Sequence, residues 1–99
     1  MADIRPLKGV IQLLRKPTAD TAGIFSVKAG KTEAFYAFQE IPCFIGGRGF
    51  DVMRLGTTRR YHVRAVDHRD FSCECLGYLA HGRCRHALGL LTLIDRGEI

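Results

Sequence analysis

Two short pairs of metal-binding residue types near the end of the sequence constrain the fold more than any other feature. Cys73 and Cys75 form a Cys-x-Cys pair, and Cys84 and His86 form a Cys-x-His pair after eight intervening residues. Three thiols and one imidazole make a complete tetrahedral ligand set for zinc. The sequence therefore predicts that these four side chains converge on one structural zinc ion.

The residues around each pair indicate how the pairs can reach one ion. An extended segment would place Cys73 and Cys75 on the same face, because side chains alternate along a strand. After His86, apolar residues recur at helical spacing and stop near Gly97, which is typical of an amphipathic helix. Cys84 would then begin this helix, where unpaired amides and the helix dipole favour a thiolate. The apolar positions of the predicted helix are Ala87, Leu90, Leu91 and Ile94.

This arrangement resembles the SWIM-type zinc finger, a family that joins Cys-x-Cys to a later Cys-x-His on a strand-strand-helix unit. The resemblance covers residues 59–95 and includes the strand around Tyr61 and the helix after His86. It implies a DNA-binding or protein-interaction module that holds one structural zinc ion. Residues 1–58 carry no comparable motif, and we expect them to form a β-rich N-terminal extension within a single 1–99 domain. The ligands that the resemblance implies are Cys73, Cys75, Cys84 and His86.

Other cysteines and histidines are weaker candidates for the metal. His81 lies between the two pairs and could replace His86 as the fourth ligand. Cys43 lies far from the pairs, and we interpret it as a core or spare thiol. His62 and His68 flank a predicted strand and are interpreted as surface or hydrogen-bonded residues. An iron–sulfur cluster is a possible but rarer alternative for three cysteines and one histidine.

Catalysis by the metal is not expected. A catalytic zinc usually keeps an open position for water, whereas here four protein ligands fill the shell. Glu74 could be considered as a general base, but alternation points it away from Cys73 and Cys75. No nucleophile–base pair or phosphate-binding glycine loop accompanies the cluster. The sequence therefore predicts a chain that is not an enzyme and has no small-molecule substrate.

The sequence before the cysteine pairs is typical of short strands joined by turns. Gly30-Lys31 and residues 56–59 are predicted hairpin turns. Thr32–Gln39 also has helical character, so a helix is the alternative for that segment. The expected fold class is α+β, a small antiparallel sheet with one C-terminal helix held by the zinc site. The predicted strands are Val10–Leu14, Ile24–Ala29, Thr32–Ile41, Phe50–Leu55 and Arg60–Asp67.

The charge pattern suggests a partner. The formal net charge is +5, and every basic residue from position 48 onward is arginine, whose planar fork suits phosphate. Nucleic acid, most simply DNA, is therefore the predicted ligand. The alternative is an adaptor subunit of a larger DNA- or RNA-processing machine that binds only protein, because interleaved carboxylates can neutralise the arginines. The predicted nucleic-acid contacts are Arg59, Arg60, Arg83 and Arg85 on phosphates and Tyr78 on a base.

The location of the protein follows from two negative features of the sequence. No apolar run approaches the roughly 18 residues of a membrane-spanning helix. Residues 9–15 are too short and too polar for a signal peptide. We therefore expect a cytoplasmic protein without a membrane partner, in a compartment where reduced thiols favour metal binding.

Overall fold

Six strands and two helices follow one another along the chain. The computed structural model describes residues 10–82 and 84–99. No helix among the described residues is long and apolar enough to cross a bilayer. The elements are β1 (Val10–Arg15), β2 (Gly23–Ala29), β3 (Thr32–Ile41), β4 (Arg48–Arg54), β5 (Arg60–Asp67), β6 (Asp70–Cys73), α1 (Leu76–His81) and α2 (Arg85–Asp95).

The strands form a single antiparallel sheet in the order in which they occur in the sequence, β1 to β6. Each strand pairs with the next one, so the connections are hairpins or short loops. Gly30 and Gly56 lie in two of these turns with φ values of 61° and 89°, which glycine adopts without strain. The expected fold class, an antiparallel sheet followed by a C-terminal helix, is confirmed.

β3 settles the choice between strand and helix for residues 32–39, and the helical alternative was wrong. Its side chains alternate, with Ala34, Tyr36 and Phe38 buried and Glu33 and Phe35 exposed. The strand pairs with β2 on one side and β4 on the other. Pairing on both edges, with the aromatic rings on one face, outweighs the fair helical propensity of this segment.

α2 packs against the sheet and supplies much of the core. It contacts β1, β2, β5 and β6. Gly89 faces Phe25, and a Cβ atom at this glycine would lie 2.7 Å from the ring. A glycine in the middle of α2 is therefore explained by the close approach of helix and sheet. The helix buries Ala87, Leu90, Leu91 and Leu93.

Both ends of α2 agree with the sequence prediction. Cys84 is the N-cap residue, with extended φ and ψ angles. At the other end Gly97 adopts a φ of 72°, and its amide donates to the Ile94 carbonyl at 2.9 Å. The amide of Glu98 donates to the Leu93 carbonyl at 3.0 Å. Together these two hydrogen bonds form a C-terminal helix cap in which Gly97 has a left-handed backbone conformation.

A second helix was not predicted. α1 occupies the segment between the two ligand pairs. Cys75 caps its start, and Gly82 ends it with a φ of 75°. The extended segment at the first pair therefore stops at Cys73, and Cys75 lies beyond the strand.

Candidate metal centre

The four side chains of the two pairs come together as the sequence predicted. Their ligand atoms all lie within 4.8 Å of one another, close enough to bind one metal ion. Cys73 Sγ is 3.7 Å from Nδ1 of His86. Tetrahedral zinc with usual bond lengths separates sulfur and nitrogen ligands by about 3.6 Å, so this distance fits the coordination shell.

Three elements position these ligands. Cys73 is the last residue of β6, paired with Val63 of β5. Cys75 caps α1, and its sulfur accepts a hydrogen bond from the Tyr78 amide at 3.4 Å. Cys84 caps α2 in the same way, its sulfur accepting from the Ala87 amide at 3.4 Å. Amide donors at a helix start stabilise a thiolate, the form of cysteine that binds metal.

The thiols of Cys73 and Cys84 interact, and their pKa values shift in opposite directions. The hydrogen bond from Cys73 lowers the pKa of Cys84, and the Ala87 amide acts in the same direction. The same hydrogen bond, together with burial, raises the pKa of Cys73. Cysteine binds a metal ion as the thiolate, so metal binding at this cluster would be coupled to proton release.

Aromatic packing holds the imidazole of His86 in place. The Tyr61 ring lies 4.8 Å from it at an interplanar angle of 30°. The Tyr36 ring meets it edge-on at 5.1 Å and 89°. Phe25 stacks on the far side of Tyr36 at 5.2 Å, so the imidazole is continuous with the hydrophobic core. The orientation of this ligand is thus fixed by residues up to fifty positions away in sequence.

The other candidate ligands lie outside the cluster. His62 and His68 are exposed, as interpreted from the sequence, and His68 is 2.6 Å from a carboxylate oxygen of Asp95. Glu74 is also exposed, and it accepts a hydrogen bond from the His62 amide at 3.0 Å. The thiol of Cys43 donates to the Gly46 carbonyl at 3.3 Å. The side chain of the rival ligand His81 lies outside the described residues.

A cleft of about 370 Å³ opens beside the metal ligands. Three exposed arginines line it, Arg54, Arg59 and Arg85, and we call it the basic cleft. Its wall includes Tyr36 and Tyr61, the two rings that pack against His86. Burial raises the pKa of the Tyr36 hydroxyl, while the Arg54 and Arg85 guanidinium groups act to lower it. Two positive charges therefore approach the same phenol. The remaining lining residues are Thr57, Cys75, Cys84 and His86.

Within the described part of the chain, the arginines of the basic cleft form no ion pair with a carboxylate. Arg85 lies close enough to the Tyr36 hydroxyl to act on its pKa. Elsewhere the interleaved acidic residues do form surface pairs, as the sequence suggested. These pairs are Arg48 with Glu40, Arg60 with Asp51 and Arg64 with Asp70.

Only some of the predicted nucleic-acid contact residues line the basic cleft. Arg59 and Arg85 lie together in the basic cleft. Arg60, next in sequence to Arg59, lines a different cleft and pairs with Asp51 at 2.5 Å. Tyr78 is half-buried, and its hydroxyl donates to the Phe71 carbonyl at 3.1 Å, so it does not line the basic cleft. Arg83 lies outside the described residues.

Sequence reasoning missed Arg54, Tyr36 and Tyr61 as neighbours of the metal ligands. The position of Arg54 could have been predicted from the alternation of side chains along β4. Phe50 and Val52 are buried on one face, and the same period of two places Arg54 next along that face. An arginine that continues an apolar face at the end of a strand indicates an opening in the core.

No protein-family model matches the chain, and neither does any curated protein or solved structure with which it was compared.

Proposed function

We propose that this protein is a zinc-stabilised module that binds nucleic acid through the basic cleft. The observation that carries the proposal is the position of three arginines beside the Cys3His cluster, none of which pairs with a carboxylate among the described residues. The metal would be structural, because four protein ligands leave no position for a reacting water. The resemblance to the SWIM-type zinc finger, which rests on the two ligand pairs, supports the same assignment.

Zinc is the metal that best suits this donor set. Thiolate and imidazole ligands in tetrahedral geometry select zinc over the harder cations that prefer oxygen. The energy of such a site is large for a chain of this size. Apparent zinc-binding energies of about 10–16 kcal/mol exceed the net stability of most small domains. We therefore propose that the metal holds β6, α1 and α2 together and that the cleft depends on it.

The cleft would contact nucleic acid chiefly through phosphate. Arginine presents a planar fork that donates two parallel hydrogen bonds to phosphate oxygens. Arg85 lies between two metal ligands in sequence, so its backbone is held by the metal centre. Binding that neutralises several phosphates releases counterions and weakens steeply with salt.

A titration of zinc-loaded protein tests this function. Labelled single- and double-stranded DNA and RNA are titrated at 50 and 200 mM salt, and anisotropy reports binding. We expect affinity to fall about tenfold or more across this range if two or three phosphates are contacted. Arg59→Gln should weaken binding, whereas the matched control Arg60→Gln should not, because Arg60 is paired with Asp51. Absence of binding to all four nucleic acids contradicts the proposal.

A protein-interaction adaptor is the second candidate, and one feature favours it. The loop between β3 and β4 exposes Phe44, which is 94% accessible to solvent, and Ile45, which is 78% accessible. Adjacent exposed apolar side chains of this size are typical of interaction surfaces. This function predicts a partner whose capture survives nuclease treatment and is abolished by the double substitution Phe44→Ser and Ile45→Ser. Capture that disappears with nuclease would contradict it.

A further inference from the structure

The charge of the basic cleft indicates what form of phosphate it accommodates. The three arginines contribute +3. Three thiolates and one Zn²⁺ contribute −3 + 2 = −1, so the cleft and the metal centre together carry +2. A phosphate inside a nucleic-acid strand carries one negative charge, whereas a phosphomonoester carries about −1.5 to −2. A terminal phosphate therefore matches the cleft better than an internal one.

The shape of the cleft points in the same direction. Its volume of about 370 Å³ lies in the range of small-molecule pockets, which is about 300–1,000 Å³. Arg54 ends β4, Arg59 precedes β5 and Arg85 begins α2, so three elements bring their cations to one concave site. A surface for duplex backbone would instead spread its cations along the path of the strand. Three arginine side chains that converge on one site suit a single phosphate group better than an extended backbone.

The interior of the cleft also differs from a simple basic patch. Tyr61 lines it and packs against the His86 ring, so an aromatic surface lies beside the cations. A ring in this position can stack with an unpaired base, which a duplex does not expose. Tyr36 also lines the cleft and adds a second aromatic side chain beside the cations.

From these observations we infer that the basic cleft binds the phosphorylated end of a single strand, with the terminal phosphate between Arg54, Arg59 and Arg85 and the adjacent base against Tyr61. The inference rests on the proposed nucleic-acid function and specifies its ligand. It distinguishes an end-binding protein from one that coats strands along their length. The same chemistry is present in a free nucleotide, so the test must separate the two sources.

The test compares oligonucleotides of one sequence that differ only at their ends. Zinc-loaded protein is titrated with single strands bearing a 5′-phosphate, a 3′-phosphate or two hydroxyl ends, and with the circularised strand, which has no ends. We expect at least one phosphorylated strand to bind about tenfold or more tightly than the hydroxyl-ended and circular strands. Equal affinity for all four overturns the inference but leaves the proposed function in place. Binding to none of them overturns both.

Free nucleotides and substitutions complete the experiment. Adenosine 5′- and 3′-monophosphates are added as competitors, and we expect them to compete only at concentrations far above that of the strand. A free nucleotide that competes as well as the phosphorylated strand would overturn the assignment to strand ends. Arg54→Gln should remove the preference for the phosphorylated end, and Arg60→Gln should retain it. Zinc content and thermal melting of both variants show whether each remains folded, and a folded Arg54→Gln variant that keeps the full preference refutes the inference.

Discussion

Gly89 offers a quantitative test of how closely α2 approaches the sheet. A Cβ atom at this position would lie 2.7 Å from one carbon of the Phe25 ring and 3.4 Å from two others. The ring cannot move aside easily, because Phe25 is fully buried between Tyr36 at 5.2 Å and Phe38 at 5.5 Å. Gly89→Ala should therefore strain the core although alanine is the better helix former.

The magnitude follows from two opposing effects. Alanine in the middle of a helix stabilises the protein by about 1 kcal/mol relative to glycine. Overpacking a closed core costs about 1–3 kcal/mol. Because the clash is with a locked ring, the cost should exceed the gain, and we expect Gly89→Ala to lower the free energy of unfolding by up to about 2 kcal/mol. In a domain of this length each kcal/mol corresponds to a fall in Tm of about 4–8 °C.

Thermal melting of the zinc-loaded variants measures the effect. Phe25→Leu is combined with Gly89→Ala in a double-mutant cycle, because leucine removes the ring atoms that meet the new Cβ. The substitution at Gly89 should be less harmful, or stabilising, in the Phe25→Leu background. An increase in Tm on Gly89→Ala in the wild-type background would show that helix and sheet are not in contact at this point.

Three further predictions concern the metal and pH. Removal of zinc should abolish the order of residues 59–95, and native far-UV circular dichroism with an unchanged melt in metal-free protein would contradict this. Cys75→Ser should lower bound zinc well below one equivalent by elemental analysis, whereas Cys43→Ser should keep one equivalent, because Cys43 lies outside the cluster. Arg48 holds the pKa of Glu40 below its usual range through hydrogen bonds, so this pair adds stability that is present at neutral pH and lost as the pH falls. Glu40→Gln should therefore lower the unfolding free energy by at most about 1 kcal/mol at pH 7, and a difference that persists well below pH ~4 in denaturant titrations would contradict the linkage.

The convergence of the four cysteine and histidine side chains was predictable because these residues are close in sequence. Once a helix begins between Cys84 and His86, their spacing restricts the directions in which the two side chains can point. The start of that helix can be recognised in the sequence because apolar residues recur at helical spacing after His86. The strands were predictable for a similar reason, since glycine turns separate them. β3 was ambiguous because its aromatic and alanine residues suit either structure until partners on both edges are known.

The basic cleft could not be predicted in the same way. Its arginines come from the end of β4, the turn before β5 and the start of α2, and only the register of the sheet brings them together. Arg59 and Arg60 look equivalent in the sequence, yet alternation separates them and Asp51 neutralises one. α1 was missed because a six-residue helix containing Gly77 has little propensity of its own. Capping by Cys75 is what stabilises it.

The four metal-binding side chains all lie within the fourteen residues from Cys73 to His86. Closing so short a loop costs little chain entropy, whereas the contact between the Tyr36 and His86 rings joins residues fifty positions apart. An ion can thus be chelated while most of the polypeptide is still unfolded. Folding would then start from a preassembled chelate in which the first turn of α2 already exists, and the sheet would close around it, with Tyr36 reaching His86 last.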